Sequence, residues 1–259
     1  MAIRGILFDK DGTIIDYWRT WLPINRKAAL HAARGSQRLA DELLRLGGHD
    51  PATDHVTPGT PLAAGDVRDV AEAFAAHPDA APASQTMAGI ERIFREGGAE
   101  HSALIGGARA TVAELKRRGF RLGIATNDSV GGLEASLAQQ DILPLFDFTA
   151  GCDSGFGAKP DPRMVFAFCK AVGISAGEVA VVGDAVHDLA MGHAAGVGLT
   201  VGVLSGTSAR RDLEGVADLL VDSINDLLAR PEFAGEMAAA VRSQRTCAAA
   251  PAGRKTRPG

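Results

Sequence analysis

Apolar residues gather along this chain in two rhythms. Short aliphatic runs closed by a polar turn recur at residues 3 to 8, 121 to 128, 146 to 151 and 179 to 184, with further runs at 198 to 204 and 219 to 223. Their shortness and unbroken apolarity predict strands buried on both faces of a sheet. Between them, residues 108 to 118, 133 to 140, 163 to 172 and 188 to 195 place apolar positions three and four apart, and the last run closes on Gly196 as a helix stop. Strand alternating with helix predicts an α/β fold, a doubly wound and mainly parallel sheet of the Rossmann-like kind.

Residues 17 to 100 break that alternation. "WRTWLPINRKAALHAARG", "SQRLADELLRLGG", "AGDVRDVAEAFAAH" and "SQTMAGIERIFREGG" all carry helical spacing, and no strand is read among them. The pattern predicts an all-helical domain, residues 17 to 103, inserted into a core made of residues 1 to 16 and 104 to 230. Its joints are expected near Asp16 and in "HSALIGGA", where glycines loosen the backbone. Residues 234 to 259 turn low-complexity in Ala, Pro and Gly with a basic end, and are expected to form a flexible tail.

Composition narrows the partners more than the fold. The 259 residues are 46% hydrophobic, enough to bury a large core. With 27 Lys and Arg against 31 Asp and Glu, a net charge of −4 leaves no basic field for nucleic acid. No apolar run reaches the roughly 18 residues a membrane span needs, and the N-terminus lacks a signal-peptide pattern. Cys152, Cys169 and Cys247 show no metal or disulfide spacing. A cytoplasmic protein, monomeric or homodimeric, is the expectation.

Ligands of open α/β sheets bind outside the carboxyl ends of the strands, so polar residues there carry the most chemistry. The first strand delivers Asp9, Lys10, Asp11, Gly12 and Thr13; the second delivers Thr126, Asn127 and Asp128; the fourth delivers Asp184, followed by His187 and Asp188. So many carboxylates in one cluster call for a cation, and oxygen ligands with room for water suit Mg²⁺. Lys159, in the Gly-rich "GFGAKPDP", adds a positive point charge, and metal and lysine together suit a phosphate. His187 and His193 do not share a helical face, which argues against zinc. Taken singly, Asp9 and Asp11 could be a turn after a strand, and Thr126, Asn127 and Asp188 could be helix caps.

In order, the D-x-D-G-T of residues 9 to 13, Thr126, Lys159 before Pro160, and the G-D-x-x-x-D of residues 183 to 188 resemble the four motifs of the haloacid dehalogenase superfamily of phosphohydrolases. The helical insertion matches in position the cap of its phosphoglycolate phosphatase-like branch. The resemblance implies that Asp9 is the nucleophile and forms an aspartyl-phosphate, and that Asp11 is the acid and base. It implies Mg²⁺ held by Asp9, the carbonyl of Asp11 and Asp184, with Asp188 as a direct ligand or one shell behind. Gly12, Thr126, Asn127 and Lys159 are then expected to bind the phosphate. Lys10 departs from the family pattern, standing where an apolar or aromatic residue is frequent, as does Gly192 in place of Ala.

The implied activity is hydrolysis of a small phosphorylated metabolite, a phosphoglycolate-like one included. Asp11 argues against a dehalogenase and against the phosphonate-cleaving relatives, for which the insertion's single lysine, Lys27, would have to serve. A sugar-phosphate mutase of the same fold and a non-catalytic phosphometabolite-binding protein stand as alternatives. Within the insertion, Trp18, Arg19 and Trp21 are read as helix core or as groups offered to the substrate, and residues 55 to 66 as a connector or a loop facing the site.

Overall fold

A computed structural model describes residues 2–235; the tail expected from residue 234 onward lies almost wholly outside them. The chain opens with strand β1 (Gly5–Phe8) and enters the insertion: α1 (Tyr17–Ala32), α2 (Gln37–Leu46), β2 (His49–Asp50), β3 (His55–Val56), α3 (Pro61–Ala64), α4 (Val67–Ala75) and α5 (Ala83–His101). It continues with α6 (Ala108–Arg117), β4 (Arg121–Ala125), α7 (Val130–Leu137), β5 (Phe148–Ala150) and α8 (Arg163–Val172). The last elements are β6 (Val179–Gly183), α9 (Val186–Ala195), β7 (Leu199–Val203), α10 (Arg210–Leu213) and β8 (Leu219–Val221).

Six strands form one parallel sheet in the order β5-β4-β1-β6-β7-β8, each at a predicted apolar run. Side chains alternate across a strand, and β1 shows the result: Ile6 and Phe8 enter a layer with Val112 and Leu115 of α6 and Leu133 of α7. Leu7 enters the opposite layer with Phe168 of α8 and Met191 of α9. Helices cover both faces, and β1 is buried throughout. Each such large side chain, fully buried, stabilises the sandwich by about 1.5–3 kcal/mol.

The insertion packs its own core from Tyr17, Trp21 and Ile24 of α1, Leu43 of α2, Phe74 of α4 and Ile90 of α5. Helix α1 starts where the Asp16 side chain accepts from Arg19 N–H at 3.1 Å and runs through Pro23. That proline is exposed, so the carbonyl it leaves unpaired can turn to water. One expectation fails here, because the insertion contains a β-hairpin: His49 pairs with Val56 and Asp50 with His55. Two residues per strand carry no readable alternation. Helix α7 likewise begins three residues earlier than its apolar run, because Ser129 caps it by accepting from Gly132 N–H at 3.0 Å.

The two crossings between core and insertion run side by side. Asp16 N–H donates to Ala103 O at 2.8 Å and Ile105 N–H to Ile14 O at 2.9 Å, with Ile15 bridged to Leu104. The insertion is thus tied to the core by one paired ribbon. No described helix is long and apolar enough to cross a membrane.

Candidate active site

The three central strands end level with one another. Phe8 pairs with Ile124 of β4 and with Val182 of β6, so the residues just beyond, Asp9, Thr126 and Asp184, meet at one edge of the sheet. Lys159 comes from the loop between β5 and α8, and Asp188 from the first turn of α9. All five are buried. A β-carbon at Gly183 would fall on the Asp188 side chain, so only glycine lets β6 and α9 approach closely enough.

Asp9, Asp184 and Asp188 offer carboxylate oxygens within 4.8 Å of one another. Lys159 Nζ donates to Asp9 Oδ1 at 2.6 Å and to Asp188 Oδ1 at 2.7 Å. Asp188 Oδ2 accepts from the N–H of Ala185, the residue that caps α9, at 3.0 Å, which ties it to the start of that helix as well. Asp184 Oδ2 accepts from Thr207 N–H at 2.8 Å and its hydroxyl at 3.3 Å. Asp9 Oδ2 is buried with no hydrogen-bond partner. Gly12, at φ 81°, passes so close that a β-carbon there would stand 2.7 Å from Asp184 Oδ2.

Three buried carboxylates against one ammonium do not balance. Burial pushes the Asp9 carboxyl up to about 7, and the Asp188 and Asp11 charges add to that against the opposing pull of Lys159. Asp184 is raised well above its ordinary range, first by burial and then by Asp9 and Asp188. Burial also works on Asp188, but the Lys159 ammonium overcomes it and holds that carboxyl below its ordinary value. Burial would lower Lys159; Asp188 and Asp9 outweigh it and hold the ammonium protonated. Without a cation the protein would keep protons on the cluster near neutrality. A divalent ion bound by oxygen removes the conflict and gives Asp9 Oδ2 its missing partner, so the donor set fits Mg²⁺.

A second network stands beside the first. Lys10 is completely buried, with Nζ donating to Asp128 Oδ2 at 2.7 Å, 3.0 Å from Asp11 Oδ2 and 5.4 Å from the Trp21 ring centroid. Asp11 Oδ1 accepts from the Trp21 indole N–H at 2.6 Å. The departure at Lys10 therefore has a structural role: one ammonium holds Asp11 on one side and Asp128 on the other. Burial raises Asp128 against the pull of Lys10. Sequence reading placed Asp128 at the strand end without a task and missed Thr207; the strand-end rule applied to β7 would have pointed to the latter.

The insertion closes over this edge. Asn127 Nδ2 donates to Ala64 O at 2.9 Å, while its Oδ1 accepts from Lys159 N–H at 2.8 Å, so one amide joins cap, motif loop and lysine. Between cap and core lies a cavity of about 570 Å³, counting its open mouth, with Asp9, Asp11, Thr126 and Asp184 on the core side. Trp21 lines it from the cap, as do Pro61 to Val67; Trp18 and Arg19 do not. Residues 55 to 66 thus include part of the cavity wall. His187 lines it from α9, and burial lowers its imidazole below the ordinary value.

The family model for haloacid dehalogenase-like hydrolases matches residues 3–196. Among curated proteins, the chain is similar to phosphoglycolate phosphatase of Escherichia coli K12, 27% identical over 247 residues, covering 87% of this chain and 91% of that one. It is also similar to N-acetylmuramic acid 6-phosphate phosphatase of Pseudomonas putida, 27% identical over 196 residues and covering 76% and 81%. Among solved structures, CbbY from Rhodobacter sphaeroides in complex with phosphate superposes with a TM-score of 0.63 at 25% identity, over 87% of this chain and 96% of that one. A hydrolase from Pseudomonas syringae gives 0.63 at 18% identity, over 90% and 100%, a likeness of fold. With the model spanning most of the sequence and the site built at the strand ends, the chain belongs to the haloacid dehalogenase-like hydrolases, on their phosphoglycolate phosphatase-like branch.

Proposed function

We propose that this protein is a Mg²⁺-dependent phosphatase that hydrolyses a small phosphorylated metabolite through an aspartyl-phosphate on Asp9. The observation that carries the reading is the buried trio Asp9, Asp184 and Asp188 around an unpartnered Asp9 Oδ2, facing a cavity roofed by the insertion. Asp9 and Asp184, with Asp188 beside them, would hold the ion, which keeps Asp9 ionised and screens its approach to an anionic phosphoryl group.

The chain's own groups supply the rest. Asp9 attacks phosphorus, the P–O bond to the leaving group breaks, and Asp11 delivers a proton to the departing oxygen. Water then attacks the acyl-phosphate, giving its proton to Asp11 and releasing phosphate with Asp9 restored. Lys159 holds the nucleophile in place and offsets charge developing on the phosphoryl oxygens. Thr126 Oγ1 accepts from Asp128 N–H at 3.1 Å and keeps its own proton to donate to a phosphoryl oxygen. The Asn127 side chain is held between Ala64 O and Lys159 N–H, so its backbone N–H serves that purpose. Asp11, held by the cap's Trp21, gains its final position only when the cap is shut, which ties proton transfer to exclusion of water.

The test is phosphate release from a panel of phosphomonoesters with Mg²⁺. Wild type should turn over, EDTA should abolish activity reversibly, and Asp9→Asn should lower kcat at least about a thousandfold while the protein stays folded. Near-normal turnover by a folded Asp9→Asn protein would refute the covalent route.

A further inference from the structure

The cavity wall facing the leaving group has no place for a second negative charge. Its cap side is apolar and aromatic, with Tyr17, Trp21, Leu62, Val67, Val70 and Phe94. Among the described residues, none lining the cavity is a lysine or arginine, whereas Asp66 joins Asp9, Asp11, Asp128 and Asp184 in that lining. The two lysines beneath are engaged, Lys159 with Asp9 and Asp188, Lys10 with Asp128 and Asp11. Arg19, Arg68, Arg92 and Arg95, nearest in sequence to lining residues of the cap, are exposed and outside it.

Three neutral donors of the lining are engaged as well. The Tyr17 hydroxyl donates to Leu62 O at 2.6 Å, the Trp21 indole to Asp11 and the Asn127 amide to Ala64. The first turn of α4 would otherwise attract an anion. Its N–H groups at Arg68 and Asp69 are already held by Asp66 Oδ1, at 2.8 and 3.0 Å. A carboxylate or second phosphate on the leaving group would meet an apolar wall and a like charge at Asp66, with no lysine or arginine in the lining to pair it.

Resting on the phosphatase reading above, we infer that the substrate is a phosphomonoester whose leaving alcohol is uncharged, hydroxylated or aromatic, and that the site selects against leaving groups bearing a carboxylate or another phosphate. The phosphoryl dianion is then the only anionic group the site accommodates. This separates the chain from the substrates in the names of the two curated relatives compared above, since a glycolate and a muramic acid both carry a carboxylate. It also separates it from chemistry that must be primed by a bisphosphate.

Matched pairs test this on the full chain with saturating Mg²⁺: 2-hydroxyethyl phosphate against 2-phosphoglycolate, and phenyl phosphate against 4-carboxyphenyl phosphate. The assay is run at pH 8, where an ordinary imidazole is neutral, so that His187 supplies no charge. We expect kcat/KM to favour the uncharged member of each pair at least about tenfold. Asp66→Asn keeps an acceptor for the α4 cap and should narrow both gaps by at least about threefold. Equal or better turnover of the carboxylated members, or gaps unmoved by Asp66→Asn, would overturn the inference. Phosphate released from none of the four, nor from p-nitrophenyl phosphate, would instead overturn the phosphatase reading and the inference with it.

Discussion

Replacing Lys10 by Met keeps the length and most of the volume of the side chain but removes the ammonium that separates two carboxylates. Lys10 Nζ sits 2.7 Å from Asp128 and 3.0 Å from Asp11, with no exposure of its own and only 6% exposure of the Asp128 side chain. Removing one partner of a buried ion pair costs about 3–5 kcal/mol because the other charge stays buried, out of about 5–15 kcal/mol for a domain. Asp128→Asn should cost less, about 1–2 kcal/mol, since Lys10 keeps Asp11 and the amide oxygen can still accept from Ser129 N–H, now at 2.8 Å. In the double variant the buried Asp128 charge is gone and only Asp11, partly exposed and still held by the Trp21 indole, lacks its ammonium, so the two losses should not add: the coupling should reach at least about 1.5 kcal/mol. Urea unfolding of all four proteins at pH 7.5 in EDTA measures this without metal binding entering the balance. If the losses add to within about 0.5 kcal/mol, or Lys10→Met costs under about 1 kcal/mol, the pairing does not hold the site as described.

The acidic cluster makes a further prediction. Asp9 has a folded-state value near 7, above its unfolded value of 3.8, so the native protein keeps a proton that the unfolded chain has lost, and stability attributable to Asp9 falls as pH rises between those values. Metal-free Asp9→Asn should therefore gain on wild type from pH 5 to pH 8, by at least about 1 kcal/mol, and saturating Mg²⁺ should shrink that gain; denaturation midpoints at the two pH values check it. Trp21→Phe keeps the ring that meets Phe94 edge-on at 5.0 Å but loses the donor to Asp11. It should lower kcat about tenfold or more with little loss of stability, and an unchanged kcat would mean that the indole N–H does not position Asp11.

Much of this architecture was legible because the physics behind it is local. A strand buried on both faces must be an apolar run, and all six runs became strands of the sheet. The hairpin at residues 49 to 56 escaped because two residues cannot display a period. Asp9, Asp184 and Asp188 could be read because parallel strands present their carboxyl ends together. The Lys10–Asp128 pair could not, since its members lie 118 residues apart and only the β1–β4 register brings them into contact. Trp21 shows why a choice between core and site misleads: its ring packs against Phe94 while its nitrogen reaches Asp11.

The paired ribbon at Asp16–Ala103 and Ile14–Ile105 also dictates the mechanics of the cap. Two unpaired linkers would let a lid slide, twist and drift; two strands hydrogen-bonded side by side resist shear and bend mainly about one axis. An insertion hinged in this way would move as a jaw about that axis, seating where Asn127 meets Ala64 and Trp21 meets Asp11. A leaving group too bulky to let the jaw seat would hold Trp21 away from Asp11 and stall at the proton transfer. One that is too small would be gripped loosely and leave unreacted. Such a jaw acts as a calliper, reading size through the completeness of its own closure.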